Sequence, residues 1–339
     1  MSLPVPMQLE LRNEPLNLSA PFRISGYVFH AMPATVVTLR HGEHVGRGEA
    51  AGVYYTGDRP EAMLATLESL RTRIEAGIDR EALRQLLPPG GARNALDCAL
   101  WELEAQLRGE PVWKLAGLDS VRPLLTTFTI GADEPDAMAV RAVAYVDSDK
   151  GARALKLKLT GEAELDGERV RAVRARCRDA WIGVDANQGY DADTLPKLLP
   201  VLVEAGVSLL EQPCARGREI DLDGIERVLP IAADESILDL RELEARHHRF
   251  DVVNIKLDKC GGLTEGLLMA KRARELGRKV MVGNMAGSSL AMGPAFVLGQ
   301  YCDVVDLDGP IFLAEDRRPS VVYRDGHIDC PSDVWGYPR

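Results

Sequence analysis

A chain of 339 residues, 46% hydrophobic and 27% charged, is long enough for a large core and two domains, and has the balance of an ordinary globular protein. Its net charge of −10 and pI near 5.3, with no basic stripe, argue against a nucleic-acid partner. Apolar stretches such as Leu198–Val203 are too short to span a bilayer, the Met-Ser-Leu-Pro start lacks the features of a signal peptide, and the cysteines at 98, 177, 214, 260, 302 and 330 show no CxxC spacing, so the expectation is a cytoplasmic protein without a zinc site or disulfide framework.

Along the chain, Met7–Arg12 and Thr35–Arg40 are β-rich runs, and the stretch from Ala20 to Pro33 mixes aromatics with turn formers. Residues 60–88 carry helical periodicity, with Met63, Leu64, Leu67, Leu70 and Ile74 on one stripe. A Pro-Pro-Gly-Gly break then precedes a second helix, Ala92–Gln106, apolar on a wide face. From Leu124 the rhythm becomes strand and helix in alternation. The predicted strands are Leu124–Ile130, Leu155–Leu159, Trp181–Asp185, Ser208–Glu211, Ile231–Asp234, Val252–Lys256, Lys279–Gly283 and Asp303–Asp308. Eight is the number a closed parallel barrel needs. The predicted fold is therefore α/β, a modified TIM barrel with an N-terminal α+β capping domain. Its predicted units are 1–120 for the cap, 121–310 for the barrel, and 311–339 for a segment returning to the cap.

Lys158, Asp185, Glu211, Asp234 and Lys256 recur at gaps of 27, 26, 23 and 22 residues, each closing a short apolar run. One strand–helix unit of a barrel of about 250 residues takes that much chain, so all five are expected on one rim. Three adjacent carboxylates repel one another without a cation, and oxygen-only ligation selects Mg²⁺, or Mn²⁺, over zinc. Three unrelated helix caps would explain any one of these acids, but not three in consecutive units. Lys156 and Lys158 share one face of Leu-Lys-Leu-Lys-Leu, where a buried parallel strand is normally apolar. Lys256 is the same anomaly on the sixth strand, opposite the second in an eight-membered ring. Lys259 reads instead as a solvated lysine at a strand end.

A metal flanked by two lysines suits removal of the proton α to a carboxylate, with the metal neutralising an enediolate and the lysine pKa values lowered by burial and the cation. One base per face predicts inversion of the stereocentre. Asp306 and Asp308, two apart at the end of the last strand, make a site for a substrate ammonium group, the plain alternative being a turn-forming Asp-Gly. Gly261-Gly262 reads as a tight turn, because no dinucleotide or Walker pattern surrounds it.

Lys156-x-Lys158, Asp185-x-Asn187, Glu211-Gln-Pro213, Asp234-Glu-Ser236 and Lys256 together resemble the enolase superfamily, muconate-lactonizing-enzyme subgroup. Asp306-x-Asp308 narrows the resemblance to the dipeptide epimerases. The segments 92–101 and 254–265 particularly resemble bacterial L-Ala-D/L-Glu epimerases. The resemblance implies a cap closing over the barrel, Mg²⁺ bound by the terminal carboxylate of a small-molecule dipeptide, and the dipeptide's amino group on Asp306 and Asp308. It also implies a homo-oligomer as an expectation.

One departure stands out. In the alanyl-glutamate epimerases an arginine of the first cap loop meets the glutamate side chain, whereas Tyr27 holds that place here and Arg23 is offset by four positions. The second cap loop, 50–55, lacks a cation, and Met285-Ala-Gly-Ser-Ser289 is neutral. An uncharged or apolar residue at the epimerised position is therefore expected, with Tyr27, Asn187 and Met285 as candidate substrate contacts. Competing readings are L-Ala-D/L-Glu epimerisation proper, cycloisomerisation, o-succinylbenzoate synthesis or N-acylamino acid racemisation. A mandelate-racemase-type dehydratase fits worse, because none of the six histidines closes a predicted strand.

Overall fold

The computed structural model describes residues 7–24 and 27–338, the side chains of 22–24 and 27 excepted. The first half of the cap is built from strands β1 (Gln8–Glu14), β2 (Asn17–Ile24), β3 (Tyr27–Ala31), β4 (Ala34–His41) and β5 (His44–Ala50). β1, β4 and β5 form an antiparallel sheet in that order, and β2 and β3 form a separate ribbon. Leu9, Val37 and Leu39 bury one sheet face with Leu96, Ala99 and Leu103 of the helix Gly91–Arg108. That helix comes so close that a Cβ on Gly46 or Gly48 would lie 2.0 Å from the carbonyl oxygen of Ala99 or Ala95. The periodic stripe at 60–88 is divided into helices Pro60–Ser69, Arg71–Glu75 and Arg80–Leu86, the last capped by Asp79, which accepts a bond from the Ala82 N–H.

The barrel follows from runs that are buried on both faces and hence apolar along their length. After β6 (Leu124–Leu125) come β7 (Thr127–Ile130), β8 (Ala154–Lys158), β9 (Trp181–Asp185), β10 (Leu209–Glu211), β11 (Ile231–Ala233), β12 (Val252–Lys256), β13 (Lys279–Gly283) and β14 (Val304–Val305). β7 to β14 pair in chain order, each parallel to the next. Helices such as Ala163–Arg176 and Leu263–Glu275 alternate with them, but a single 3₁₀ turn, Glu219–Leu222, stands between β10 and β11.

Strand ends shift by a residue in β8, β10 and β11, and two strands differ more from the sequence expectation. The run Leu124–Ile130 is split at Thr126, because Leu124 and Leu125 pair with β16 (His327–Asp329), itself paired to β15 (Val322–Arg324). The last barrel strand stops at Val305, so Asp306 and Asp308 lie beyond a strand rather than on its face. There the ladder gives way to side chains: Leu307 N–H donates to Thr126 Oγ1 at 2.9 Å, and Thr129 N–H donates to Asp308 Oδ2 at 2.5 Å. These bonds join the last strand to the first across the ring.

The C-terminal segment meets the N-terminal third repeatedly. Ala314 N–H donates to Asn17 O at 2.8 Å, Arg317 pairs with Glu49 at 2.7 Å, and Trp335 Nε1 donates to Arg47 O at 2.9 Å. Among the described residues no helix is long and apolar enough to cross a membrane.

Candidate active site

At the C-terminal mouth of the barrel, register sets the functional side chains side by side. Lys158 is paired with Asp185 across β8 and β9, and Asp185 with Glu211 across β9 and β10. Asp234 follows β11 by one residue, and Lys256 ends β12. Asp185, Glu211 and Asp234 are buried, each offering an oxygen within 4.8 Å of the others. Lys158 Nζ donates to Asp185 Oδ2 at 2.5 Å, and Lys256 Nζ to Asp234 Oδ2 at 2.6 Å. The two lysines thus grip opposite ends of the acidic triad. Asn254, two residues before Lys256 and so on the same face of β12, donates to Glu211 Oε1 at 2.7 Å.

The triad fits a hard divalent cation on two counts. Glu211 Oε2 is buried without a hydrogen-bond partner, its nearest cation being Lys156 Nζ at 3.6 Å. Six buried carboxyls (Asp185, Glu211, Asp234, Glu235, Asp306, Asp308) accompany four buried lysines (156, 158, 256, 259), so with every group ionised two carboxylates would lack a counter-charge that one divalent ion supplies. Electrostatics follow this crowding. Burial and the neighbouring Asp185 charge push Glu211 up to about 7, and burial with Asp234 pushes Glu235 up to about 8. Burial would raise Asp234 too, but Lys256 and Lys259 overcome it and hold the group well below the usual carboxylate range. Burial acts to lower Lys156 and Lys256, yet Asp306 and Glu211 raise the first and Asp234 and Glu211 raise the second. At Lys156 and Lys256 the effect of burial is therefore outweighed by the carboxylates' own charge, the charge a bound cation would neutralise.

Lys156, a candidate catalytic residue on the same face of β8 as Lys158, lines the cleft with it. Its ammonium bonds Asp306, whose other oxygen accepts from Thr127 Oγ1 at 2.5 Å. Burial would raise Asp306, but Lys156 lowers it, while burial and Asp306 push Asp308 up to about 6. Lys259 corrects the expectation of a solvated lysine. It is 3% exposed and donates to Asp234 Oδ1 and O at 2.6 Å, Asn254 O at 2.9 Å and Ile237 O at 3.2 Å. The short helical turn Leu257–Cys260 folds it back under the mouth, and Gly261 at φ +82° ends that turn.

A cleft of about 710 Å³, its open mouth included, lies over these groups. Lys156, Lys158, Lys256, Asp234, Asp306, Asp308, Asn187 and Met285 all line it. Asn187 adopts φ +44°, and Gln212 (φ +37°) and Ala286 (φ +67°) are similarly strained at neighbouring strand ends. The far wall is apolar: Leu18, Phe29, Met32, Tyr54, Tyr55 and Phe312. Phe29 meets Tyr54 edge to face at 5.3 Å, and Tyr54 meets Tyr55 at 5.1 Å. Among the described residues the cations lining the cleft are the three lysines, each paired with an acid. The side chains of Tyr27 and Arg23 lie outside the described residues.

Sequence reasoning passed over Glu235, Asn254, Thr127 and Thr129, and misplaced Lys259. Asn254 carried a usable signal, the period-two spacing from Lys256. Thr127 and Thr129 act through bonds that close the ring.

Residues 7–117 match the mandelate racemase/muconate lactonizing enzyme N-terminal domain, and 137–334 match the enolase C-terminal domain-like family. The L-Ala-D/L-Glu epimerase of Escherichia coli is 36% identical over 311 residues, covering 92% of this chain and 96% of the relative. The hydrophobic dipeptide epimerase of Roseobacter litoralis is 32% identical over 342 residues, covering 98% of each. The structure of a dipeptide epimerase from Methylococcus capsulatus, complexed with Mg and L-Arg-D-Lys, superposes with a TM-score of 0.89 at 31% identity, covering 96% of this chain and 97% of that one. These three differ in the side chain named, from acidic through apolar to basic.

Proposed function

This chain belongs to the mandelate racemase/muconate lactonizing enzyme family of the enolase superfamily, and we propose that it epimerises dipeptides at the carbon α to the terminal carboxylate. The observation that carries the reading is the pair Lys158 and Lys256 at opposite ends of the buried triad. Asp185, Glu211 and Asp234 would hold Mg²⁺, which supplies Lewis-acid neutralisation of charge developing on a substrate carboxylate. One lysine, in its neutral form, takes the α-proton onto Nζ as the C–H bond breaks. The other, as ammonium, returns a proton to the opposite face and inverts the centre. Asp306 and Asp308, held by Thr127, Thr129 and Lys156, accept hydrogen bonds from the dipeptide's ammonium group. That last role favours a dipeptide over the substrates of cycloisomerisation, o-succinylbenzoate synthesis or N-acylamino acid racemisation. Asn187 and Met285 would contact substrate as cleft-lining residues.

The reading takes 1–120 as a cap, 121–310 as the barrel and 311–339 as a segment returning to the cap, in a cytoplasmic enzyme acting on a small molecule. The cleft wall of Leu18, Phe29, Met32, Tyr54, Tyr55 and Phe312 supports an uncharged or apolar side chain at the epimerised position. Kinship with the Escherichia coli enzyme favours glutamate instead. Deuterium exchange into a dipeptide panel decides both matters. Lys158→Ala and Lys256→Ala should each block exchange from one stereoisomer, and equal exchange from both isomers in either variant refutes the two-face mechanism. Turnover about tenfold better on alanyl-glutamate than on alanyl-phenylalanine, alanyl-leucine or alanyl-alanine, about 1.4 kcal/mol of discrimination, refutes the uncharged pocket.

A further inference from the structure

Asp258 is a buried carboxyl that the proton transfer does not use. It stands two residues past Lys256 in the short turn Leu257–Cys260 and is 7% exposed. A carboxyl removed from water needs partners, and those of Asp258 come from the cap. The Gly52 N–H donates to Asp258 Oδ1 at 2.8 Å across 206 residues of sequence, and the backbone of Ala51 bonds the same carboxyl. Gly52 sits immediately before Val53, Tyr54 and Tyr55, at φ +76°, where a Cβ would lie 2.5 Å from Asp58 O. The far end of this loop is tied within the cap: Gly91 N–H donates to Asp58 Oδ2 at 2.6 Å, and Asp58 N–H to Val53 O at 3.2 Å.

One end of the loop bearing two aromatic walls of the cleft is therefore fastened to the strand end that carries Lys256. Burial, with Asp58 and Glu49 nearby, pushes Asp258 up to about 7, so an uncharged acceptor would serve the same bonds. We propose that Asp258 is a positioning residue for substrate selection: it seats the 52–56 loop so that Tyr54 and Tyr55 wall the pocket for the epimerised side chain. Asp258 touches no substrate and acts through the Gly52 amide. The inference rests on the dipeptide reading above and deepens it.

The test compares wild type, Asp258→Ala and Asp258→Asn in steady-state epimerisation of L-Ala-L-Phe and L-Ala-L-Ala, with amide hydrogen exchange of residues 50–58. Asp258→Ala should raise KM for alanyl-phenylalanine about tenfold with kcat held within about threefold, while KM for alanyl-alanine moves less than about threefold. Exchange at 50–58 should accelerate in the same variant. Asp258→Asn, which keeps the acceptor, should restore both. A fall in kcat with unchanged KM is the mark of a smaller folded fraction and overturns the proposal. So does an Asp258→Asn variant that behaves like Asp258→Ala. Should the wild type epimerise neither dipeptide, the dipeptide reading fails, and unchanged exchange at 50–58 in Asp258→Ala separately overturns the seating of the loop.

Discussion

Replacing Lys259 with Met keeps the buried stem and removes only the ammonium. Four acceptors then lose a donor: both Asp234 oxygens named above and the carbonyls of Asn254 and Ile237. Breaking a buried ion pair by deleting one partner costs roughly 3–5 kcal/mol, because the remaining charge stays buried. At about 2.1 cal/mol/K of unfolding entropy per residue, a chain of 339 residues shifts by about 1.4 °C per kcal/mol, so the loss should be on the order of 4–7 °C. The variant also leaves the acidic cluster one positive charge poorer, so added Mg²⁺ should raise its melting temperature by more than it raises that of the wild type. Differential scanning fluorimetry in EDTA and in Mg²⁺ reads both effects. A variant melting within about 2 °C of wild type in both buffers would show that Lys259 behaves as a solvated side chain and refute the reasoning.

Glu211→Gln removes a carboxylate whose second oxygen is unpartnered and whose pKa is already pushed to about 7, so its melting temperature in EDTA should hold or rise while isothermal titration finds Mg²⁺ binding at least about tenfold weaker. Asp258 is raised from 3.8 to about 7 on folding, so its contribution to stability is full below about pH 4 and is lost as pH rises through 7. Melting curves of Asp258→Asn between pH 4 and 8 should therefore lose part of the decline seen in the wild type, and a parallel pair of curves would contradict the assignment. Phe29→Ala opens the wall that meets Tyr54 at 5.3 Å, and kcat/KM should fall roughly tenfold on alanyl-phenylalanine while alanyl-alanine turnover stays near wild type. Equal losses on both dipeptides would place Phe29 outside the side-chain pocket.

The alternation of apolar runs with helical segments was enough to count eight barrel strands, because a parallel strand buried on both faces must be apolar along its length. Against that background Lys158, Asp185, Glu211, Asp234 and Lys256 stood out, and spacing alone brought them to one rim. The boundaries were less legible. Leu124 and Leu125 run on into Thr127–Ile130 without a turn former between them, and only pairing with β16 separates them. Asp306 and Asp308 looked like strand residues, since nothing local announces that ring closure falls to Thr126, Thr127 and Thr129.

What the sequence by itself determined is the order of the strands and the charge each delivers to the mouth, because periodicity and burial are local properties of a run. The tertiary structure alone decided which charges meet. Lys156 bonds Asp306 across 150 residues, Lys259 turns inward to Asp234, and Asp258 reaches Gly52 across 206. Such partners follow from ring closure and from the cap folding back on the barrel. No local pattern encodes them, because the energy of a buried charge depends on what surrounds it in space rather than on its neighbours in the chain.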